Sequence, residues 1–160
     1  MSKSKIKTNA MRILDLNNIE YNVHSYEAGK DHVDGTEVAS KIGRDVKEVY
    51  KTLVAKGASK EFYVYVIPVS ESLDLKKAAR VTNEKNIEMI NVKDINKVTG
   101  YIRWGCSPIG MKKTYKTFVN DSAKYLNSII VSAGKIGYQI EISPLDLNKV
   151  INFEFVDIVK

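Results

Sequence analysis

The stretch TGYIRWGCSPIGMKK, Thr99 to Lys113, constrains this chain more than any other, because it is neither a plausible helix nor a plausible strand. Gly100, Gly105, Gly110 and Pro108 break every regular period. Tyr101, Ile102 and Trp104 supply apolar mass, and Lys112 and Lys113 place two positive charges at the exit. The stretch reads as a shaped loop around which the rest must pack. Glycine lets backbone N–H groups approach a ligand with no Cβ in the way, and such groups beside an ammonium suit a phosphate or a developing oxyanion. A shorter segment, Ser132-Ala133-Gly134-Lys135-Ile136-Gly137, repeats the theme directly after the apolar run Ile129-Ile130-Val131. Two Gly/Lys loops point to one anion-liking pocket.

The rest of the chain mixes helical and strand periods throughout. Thr8 can cap a first helix with Ala10, Ile13 and Leu14 on one face, and Ile19 to Tyr26 alternates like a strand. Thr36 can cap a short helix carrying Val38, Ala39 and Ile42, which Gly43 stops. Lys51 to Ala55 and Phe62 to Val69, separated by a polar turn, look like a central hairpin. Leu75, Ala78 and Ala79 fall at helical spacing from Asp74, followed by a strand at Met89 to Val92 and a polar helix from Asp94 to Val98. Thr117 to Val119 reads as a strand, Asn120 or Asp121 as the cap of a helix through Leu126, and Ser128 to Ser132 as a buried strand. Gln139 to Ser143 is a further strand, and Ser143-Pro144 opens a helix to Val150 before Asn152 to Phe155 closes the sheet. The expectation is an α/β fold: one domain over residues 1–160 with a mixed, mostly antiparallel sheet surrounded by short helices.

Composition narrows the setting. The formal net charge of +6 fits a partner rich in phosphate without proving one. A single cysteine, Cys106, excludes an internal disulfide, and the N-terminal MSKSKIK has no apolar region behind it, so cytoplasmic residence is expected. No apolar run approaches the roughly 20 residues of a membrane span. No set of His, Cys, Asp or Glu has metal-ligand spacing, and neither a metal nor another cofactor is expected.

Among single residues, Lys51 starts a strand whose next residues are apolar, so its ammonium can be held beside the core, or it can snorkel outward as strand-end lysines do. Ser132 and Gly134 follow a buried strand, where a glycine-containing turn can form an oxyanion hole and a hydroxyl can attack or donate. No convincing general base accompanies that serine, because His24 and His32 sit in no nucleophile motif. Cys106 can be a reactive thiol or a small inert side chain. Lys76, Lys77, Lys112, Lys113, Lys116 and Lys135 can form a basic rim or remain solvated surface charges.

The two glycine loops, with Val49-Tyr50-Lys51-Thr52-Leu53-Val54, Leu73 to Ala79, the N-terminal KTNAMRILD and the closing Pro144-Leu145-Asp146-Leu147, resemble the YbaK family of aminoacyl-tRNA editing proteins over nearly the whole chain. Members are similar to the editing domain inserted in bacterial prolyl-tRNA synthetases, and free-standing members hydrolyse Cys-tRNA(Pro). The resemblance implies a deacylase acting on the aminoacylated CCA end of tRNA, with prolyl-tRNA synthetase as the natural partner. It also implies that the substrate's own cysteinyl thiol attacks the ester while the protein holds the geometry. Lys51 aligns with the family's functional lysine, and Ser132 and Gly134 match. Tyr26 aligns with a site tyrosine, and Thr52, Gly100, Tyr101, Trp104, Gly105, Ser107, Pro108 and Lys112 are the remaining expected substrate contacts. The sequence departs from the family at Trp104, where many relatives carry glycine, and at Gln139, where some carry an acidic residue. The Trp104 indole can narrow the pocket, stack on adenine or face solvent. The alternatives to a Cys-tRNA(Pro) deacylase are an Ala-tRNA(Pro) deacylase and a non-catalytic module that binds tRNA or a synthetase.

Overall fold

Five α-helices and eight strands alternate along residues 6–27, 34–103 and 105–160, which are the residues described in the computed structural model. Helix α1 is Asn9–Leu16; the Thr8 hydroxyl accepts from Met11 N–H at 3.2 Å, and Ala10, Met11 and Leu14 form the buried face. Strand β1 is Asn22–Ser25, shorter than the alternation suggested. Its start is delayed because Ile19 N–H still donates to Leu14 O at 3.0 Å, which keeps that residue in the helix terminus. Helix α2, Gly35–Ile42, is capped by Asp34 rather than by Thr36. Glu37 N–H and the Thr36 hydroxyl both donate to Asp34 Oδ1, so the threonine serves the cap instead of being it. Gly43 ends α2 in the left-handed region at φ +73°.

Strands β2, Tyr50–Gly57, and β3, Phe62–Pro68, form the expected hairpin, in register from Tyr50 opposite Pro68 to Lys56 opposite Phe62. Helix α3, Leu75–Thr82, is capped by the Asp74 carboxylate, which accepts from Lys76 and Lys77 N–H. Strand β4 is Ile87–Met89, so it lies earlier than the Met89 to Val92 run. Beyond it the chain turns through a 3-10 segment, Val92–Asp94, into α4, Ile95–Thr99. After β5, Lys116–Asn120, the expected helix is only a 3-10 turn, Asp121–Tyr125. Ala123 is the buried residue of that turn and Tyr125 is exposed, so an α-helix there would have too little apolar face to bury. Strands β6, Ile129–Ser132, and β7, Tyr138–Ile142, precede α5, Pro144–Val150, and β8, Phe153–Val156.

The strands divide into two sheets. One is antiparallel with order β1-β7-β6; the other is mixed with order β4-β2-β3-β5-β8, antiparallel through β4-β2-β3 and parallel through β3-β5-β8. Val64 and Val66 on one face of β3, Ile129 and Val131 on β6, and Ile140 and Ile142 on β7 form a single core with α1 and α5. Burying each such side chain contributes about 1.5–3 kcal/mol relative to exposure. The alternate residues of β3, Tyr63, Tyr65 and Ile67, meet Ala78 and Ala79 of α3 on the other face. Tyr65 stacks on Phe118 there, with ring centroids 5.7 Å apart.

The way the two sheets meet positions the site. They touch through a parallel bridge between Val49 and Ile130, while β4 pairs with β2 only at Ala55–Gly57. Between those attachments, along Tyr50 to Leu53, no described strand lies beside that edge of β2. This stretch of β2 edge is the seam between the two sheets.

One ion-pair cluster fastens α2 across the small sheet. Arg44 donates to both carboxylate oxygens of Glu141 on β7 at 2.8 and 3.0 Å and also pairs with Glu48. Glu141 accepts from Ser128 Oγ at 2.6 Å and lies 2.9 Å from His24 Nε2. The Arg44 guanidinium, helped by Ser128 and His24 and opposed by burial, holds the Glu141 carboxyl down at about 2. A depressed carboxyl contributes stability that is present above its ordinary value near 4.5 and lost as pH falls through that value towards 2. Glu141→Gln is therefore expected to cost about 2–3 kcal/mol at pH 7 and to flatten the acid limb of the stability curve. Urea denaturation followed from pH 7 to pH 2 checks this.

Candidate active site

The seam holds a cavity of about 380 Å3, lined by the unbroken run Val49 to Val54 of β2 and its approach. Gly35 and Val38 of α2 close one side, with Val69 beyond β3. Met89, Ile90, Val92 and Ile95 close another, and Tyr26, Ser132 and Gln139 of the small sheet face them, with Arg103 and Cys106 from the glycine-rich loop. The size suits a small acyl group with part of a sugar. Among the described lining residues there is no Asp, Glu or His.

Lys51 is half-buried in this wall, and loss of hydration lowers its pKa while Asp34 and Glu71 partly hold the charge. An ammonium in such surroundings interacts more strongly with a carbonyl or phosphate oxygen than one in water. Beside it, Thr52 Oγ1 is buried without a hydrogen-bond partner, the one such side-chain atom among the described residues. An unmet bond of this kind costs about 1–3 kcal/mol, which a polar ligand group can recover.

Ser132 ends β6, where Gly134 N–H donates to its Oγ at 3.1 Å. That bond has two consequences. It occupies the very N–H expected to form an oxyanion hole, and it fixes the serine oxygen as an acceptor towards the backbone, leaving the hydroxyl hydrogen to donate elsewhere. Gly134 sits at φ +95°, and a Cβ there would come within 2.7 Å of the Tyr101 ring. Gly134 thus supports the cavity from behind.

The glycine-rich loop meets the second loop directly. Tyr101 is buried below Gly134, with its hydroxyl donating to Ile109 O at 2.5 Å, and a Cβ on Gly105 would lie 3.3 Å from Ile136 N. Ser107 and Pro108 are also buried, and Ser107 Oγ accepts from Ile109 N–H at 3.2 Å. Of the expected residues, the fold brings Lys51, Thr52, Tyr26 and Ser132 to the cavity wall. It does not bring Gly100, Tyr101, Gly105, Ser107, Pro108, Gly134 or Lys112 there. These residues build the loops instead, because the apolar and small side chains are used in loop-to-loop packing. Lys112 is exposed and its ammonium approaches Lys97 O at 3.4 Å. Trp104 lies outside the described residues. In the supposed basic rim, Lys77 is tied to Asp157 at 3.0 Å and to Val159 O at 2.8 Å.

Sequence reasoning missed Arg103, Gln139 and the aliphatic group Met89, Val92 and Ile95. A signal existed for Gln139, a polar residue directly before the core residue Ile140; it is 6% exposed and opposes Ser132 in the ladder. His24 shares a strand with the cavity region but turns to Glu141. Burial pushes the Cys106 thiol up to about 11, so it is protonated at neutral pH and poor as a nucleophile. Cys106→Ala is accordingly expected to keep at least about a third of any hydrolytic rate, measured under single turnover. No group of three or more His, Cys, Asp or Glu among the described residues could hold a metal ion. No described helix is long and apolar enough to cross a membrane.

The seam cavity thus brings a half-buried ammonium together with hydroxyl and amide groups. The chain belongs to the aminoacyl-tRNA editing domain family, whose pattern it matches over residues 31–150. It is 41% identical over 156 residues, 98% of this chain and 95% of the relative, to EbsC of Enterococcus faecalis, a candidate Cys-tRNA(Pro)/Cys-tRNA(Cys) deacylase. It is 26% identical to a proline–tRNA ligase of Caldicellulosiruptor bescii over 117 residues, which are 73% of this chain and 20% of the ligase. The crystal structure of a candidate trans-editing enzyme for prolyl-tRNA synthetase superposes with a TM-score of 0.81 at 18% identity, covering 97% of this chain and 99% of the other. The hypothetical protein APE2540 does so with a TM-score of 0.84 at 17% identity, covering 93% and 97%. These two structures share the α/β editing fold.

Proposed function

We propose that this chain is a trans-acting aminoacyl-tRNA deacylase that clears Cys-tRNA(Pro), with prolyl-tRNA synthetase as its partner. The observation that carries the reading is Lys51: a half-buried ammonium, stripped of part of its hydration, on the wall of a cavity sized for a small aminoacyl group. Lys51 attracts the ester carbonyl oxygen as negative charge grows on it, and the Ser132 hydroxyl supplies a donor whose direction Gly134 N–H fixes.

The attacking atom comes from the substrate. The cysteinyl sulfur, losing its proton to solvent, bonds to its own ester carbon. The carbon–oxygen bond to the terminal ribose then breaks, and the ribose oxygen takes up a proton. Water afterwards opens the small thiolactone to cysteine. This route agrees with a described wall that offers no carboxylate or imidazole, and with a cavity thiol, Cys106, that stays protonated. Family membership and the likeness to EbsC support the same substrate class.

The purified protein is expected to release cysteine from Cys-tRNA(Pro) at least about ten-fold faster than proline from Pro-tRNA(Pro). Serine esters should react more slowly than cysteine esters, since a hydroxyl is the poorer nucleophile at neutral pH. Loss of both labelled amino acids at the buffer rate would sink the enzyme reading, and a preference for Ala-tRNA(Pro) would overturn only the specificity. A covalent aminoacyl adduct on Cys106 or Ser132, seen by intact-mass measurement, would overturn the mechanism.

A further inference from the structure

Gln139 is the middle residue of a row across the small sheet, opposite His24 of β1 on one side and Ser132 of β6 on the other. Strand alternation sends Ile140 and Ile142 into the core and turns Gln139 the other way, where it lines the seam cavity. Both neighbours in the row have partners. His24 Nε2 lies 2.9 Å from Glu141, and Ser132 Oγ accepts from Gly134 N–H at 3.1 Å. The Gln139 amide makes no hydrogen bond, although the residue is only 6% exposed. Thr52 Oγ1 is the one unpartnered side-chain atom among the described residues that is shut off completely, so the Gln139 amide opens onto the cavity. An amide left unbonded in a buried wall is unfavourable, and a ligand group that bonds it recovers the loss.

The charges around Gln139 narrow the choice of that group. Lys51 and Arg103 are the charged side chains of the described lining, and both are cationic; Tyr26 and Cys106 are its other titratable groups. Helix α2 contributes only Gly35 and Val38. Asp34 and Glu71 favour the charge on Lys51 but lie outside the lining, and the Glu141 carboxylate on the same strand is taken up by Arg44 and Ser128. The wall is therefore rich in donors, and the amide oxygen of Gln139 is an acceptor still to be used.

We propose that Gln139 is the specificity-determining contact for the substrate's α-amino group, which donates to the amide oxygen and enters the cavity as the neutral amine. The proposal rests on the deacylase reading for its substrate. An amide oxygen accepts an N–H but brings no charge, so an ammonium would add a second, uncompensated positive charge to a wall that already holds Lys51. An α-amino group next to an acyl group ionises at about pH 8, so close to neutrality part of the substrate is already in the admitted form. An acyl group that lacks the amine leaves the amide unbonded and is held less well.

The test uses two non-hydrolysable probes, 3′-amino-3′-deoxyadenosine carrying an alanyl or a propionyl group in amide linkage. They differ only in the amine, and neither has a thiol to titrate. In calorimetric titrations at pH 8.5 the wild type is expected to bind the alanyl probe about ten-fold tighter, and by pH 6.5 that preference should vanish. Gln139→Leu should bind the two probes equally at pH 8.5, with circular dichroism and a melting curve like wild type, since the amide bonds nothing within the protein. Gln139→Glu supplies the missing negative charge and should keep the preference at pH 6.5. Equal binding by the wild type at pH 8.5, a wild-type preference unchanged at pH 6.5, a preference that survives in Gln139→Leu, or its loss at pH 6.5 in Gln139→Glu would each overturn the proposal. If Gln139→Leu does not fold, Gln139→Glu and the wild-type pH series decide alone. Hydrolysis of Cys-tRNA(Pro) by the wild type reads the underlying function separately. Decay at the buffer rate with the probe pattern intact sinks the deacylase and leaves the Gln139 contact standing, whereas rapid hydrolysis without discrimination between the probes does the reverse.

Discussion

Lys51→Ala is expected to lower the single-turnover rate on Cys-tRNA(Pro) by roughly 100-fold or more, the usual loss when one donor to a developing oxyanion is removed. Its effect on folding should be small and of the opposite sign. Burial lowers the pKa of Lys51, so the charged form is penalised in the folded state; the penalty is full below the lowered value and fades as pH rises from there to the ordinary value near 10.5. Removing the side chain at pH 7 is therefore expected to leave stability unchanged or slightly raised. The same shift predicts that activity falls on the alkaline side earlier than an ordinary lysine, near 10.5, would allow. Deacylation rates from pH 6 to pH 10, with thermal melts of both proteins, test the two claims together. Near-normal turnover by the variant would return Lys51 to the role of a strand-end lysine covering apolar surface.

Gly134→Ala carries the second large effect, this time on the scaffold. An alanine at φ +95° is strained, and its Cβ would sit 2.7 Å from the buried Tyr101 ring. The ring has little room to yield, because its hydroxyl is bonded to Ile109 O. A loss of about 2–4 kcal/mol is expected. Gly43→Ala isolates the backbone part: it has φ +73° with nothing within 4 Å of the added atom, so about 1 kcal/mol is expected there. Urea titrations of the two variants measure the difference, which is the contribution of loop-to-loop contact. Equal losses would show that Tyr101 moves aside freely.

Elements whose signals are local were legible in the sequence. Thr8 and Ser143-Pro144 place α1 and α5 because a cap and its helix are contiguous, the helical spacing of Leu75, Ala78 and Ala79 places α3, and the hairpin of β2 and β3 follows from two apolar runs around a polar turn. The site was legible in part for the same reason. Lys51, Thr52 and Ser132 sit on strands that apolar runs mark, and Tyr26 follows β1 directly. The glycine-rich loop was recognisable as special, but not the direction of its side chains. Tyr101 turns inward because Gly134, far along the chain, leaves space for its ring, and no pattern within Thr99 to Lys113 encodes that vacancy. Met89, Val92 and Ile95 were invisible as site residues because an aliphatic side chain beside a cavity has the same composition as one in a core.

The seam beside β2 has a consequence for how this protein behaves among its own copies. An unpaired strand edge on a surface invites another chain to add itself, and proteins commonly guard such edges with charges or proline. Here the edge from Tyr50 to Leu53 lies in a chamber of about 380 Å3, roofed by α2 on one side and by the turn after β4 on the other. A space of that size admits an amino acid on its ribose but not an extended peptide running alongside the strand. The chain can therefore keep hydrogen-bonding capacity in reserve for a small visitor without offering a template for stacking or fibre growth. At this one edge, the walls that leave room for a small guest are the same walls that keep a second strand out.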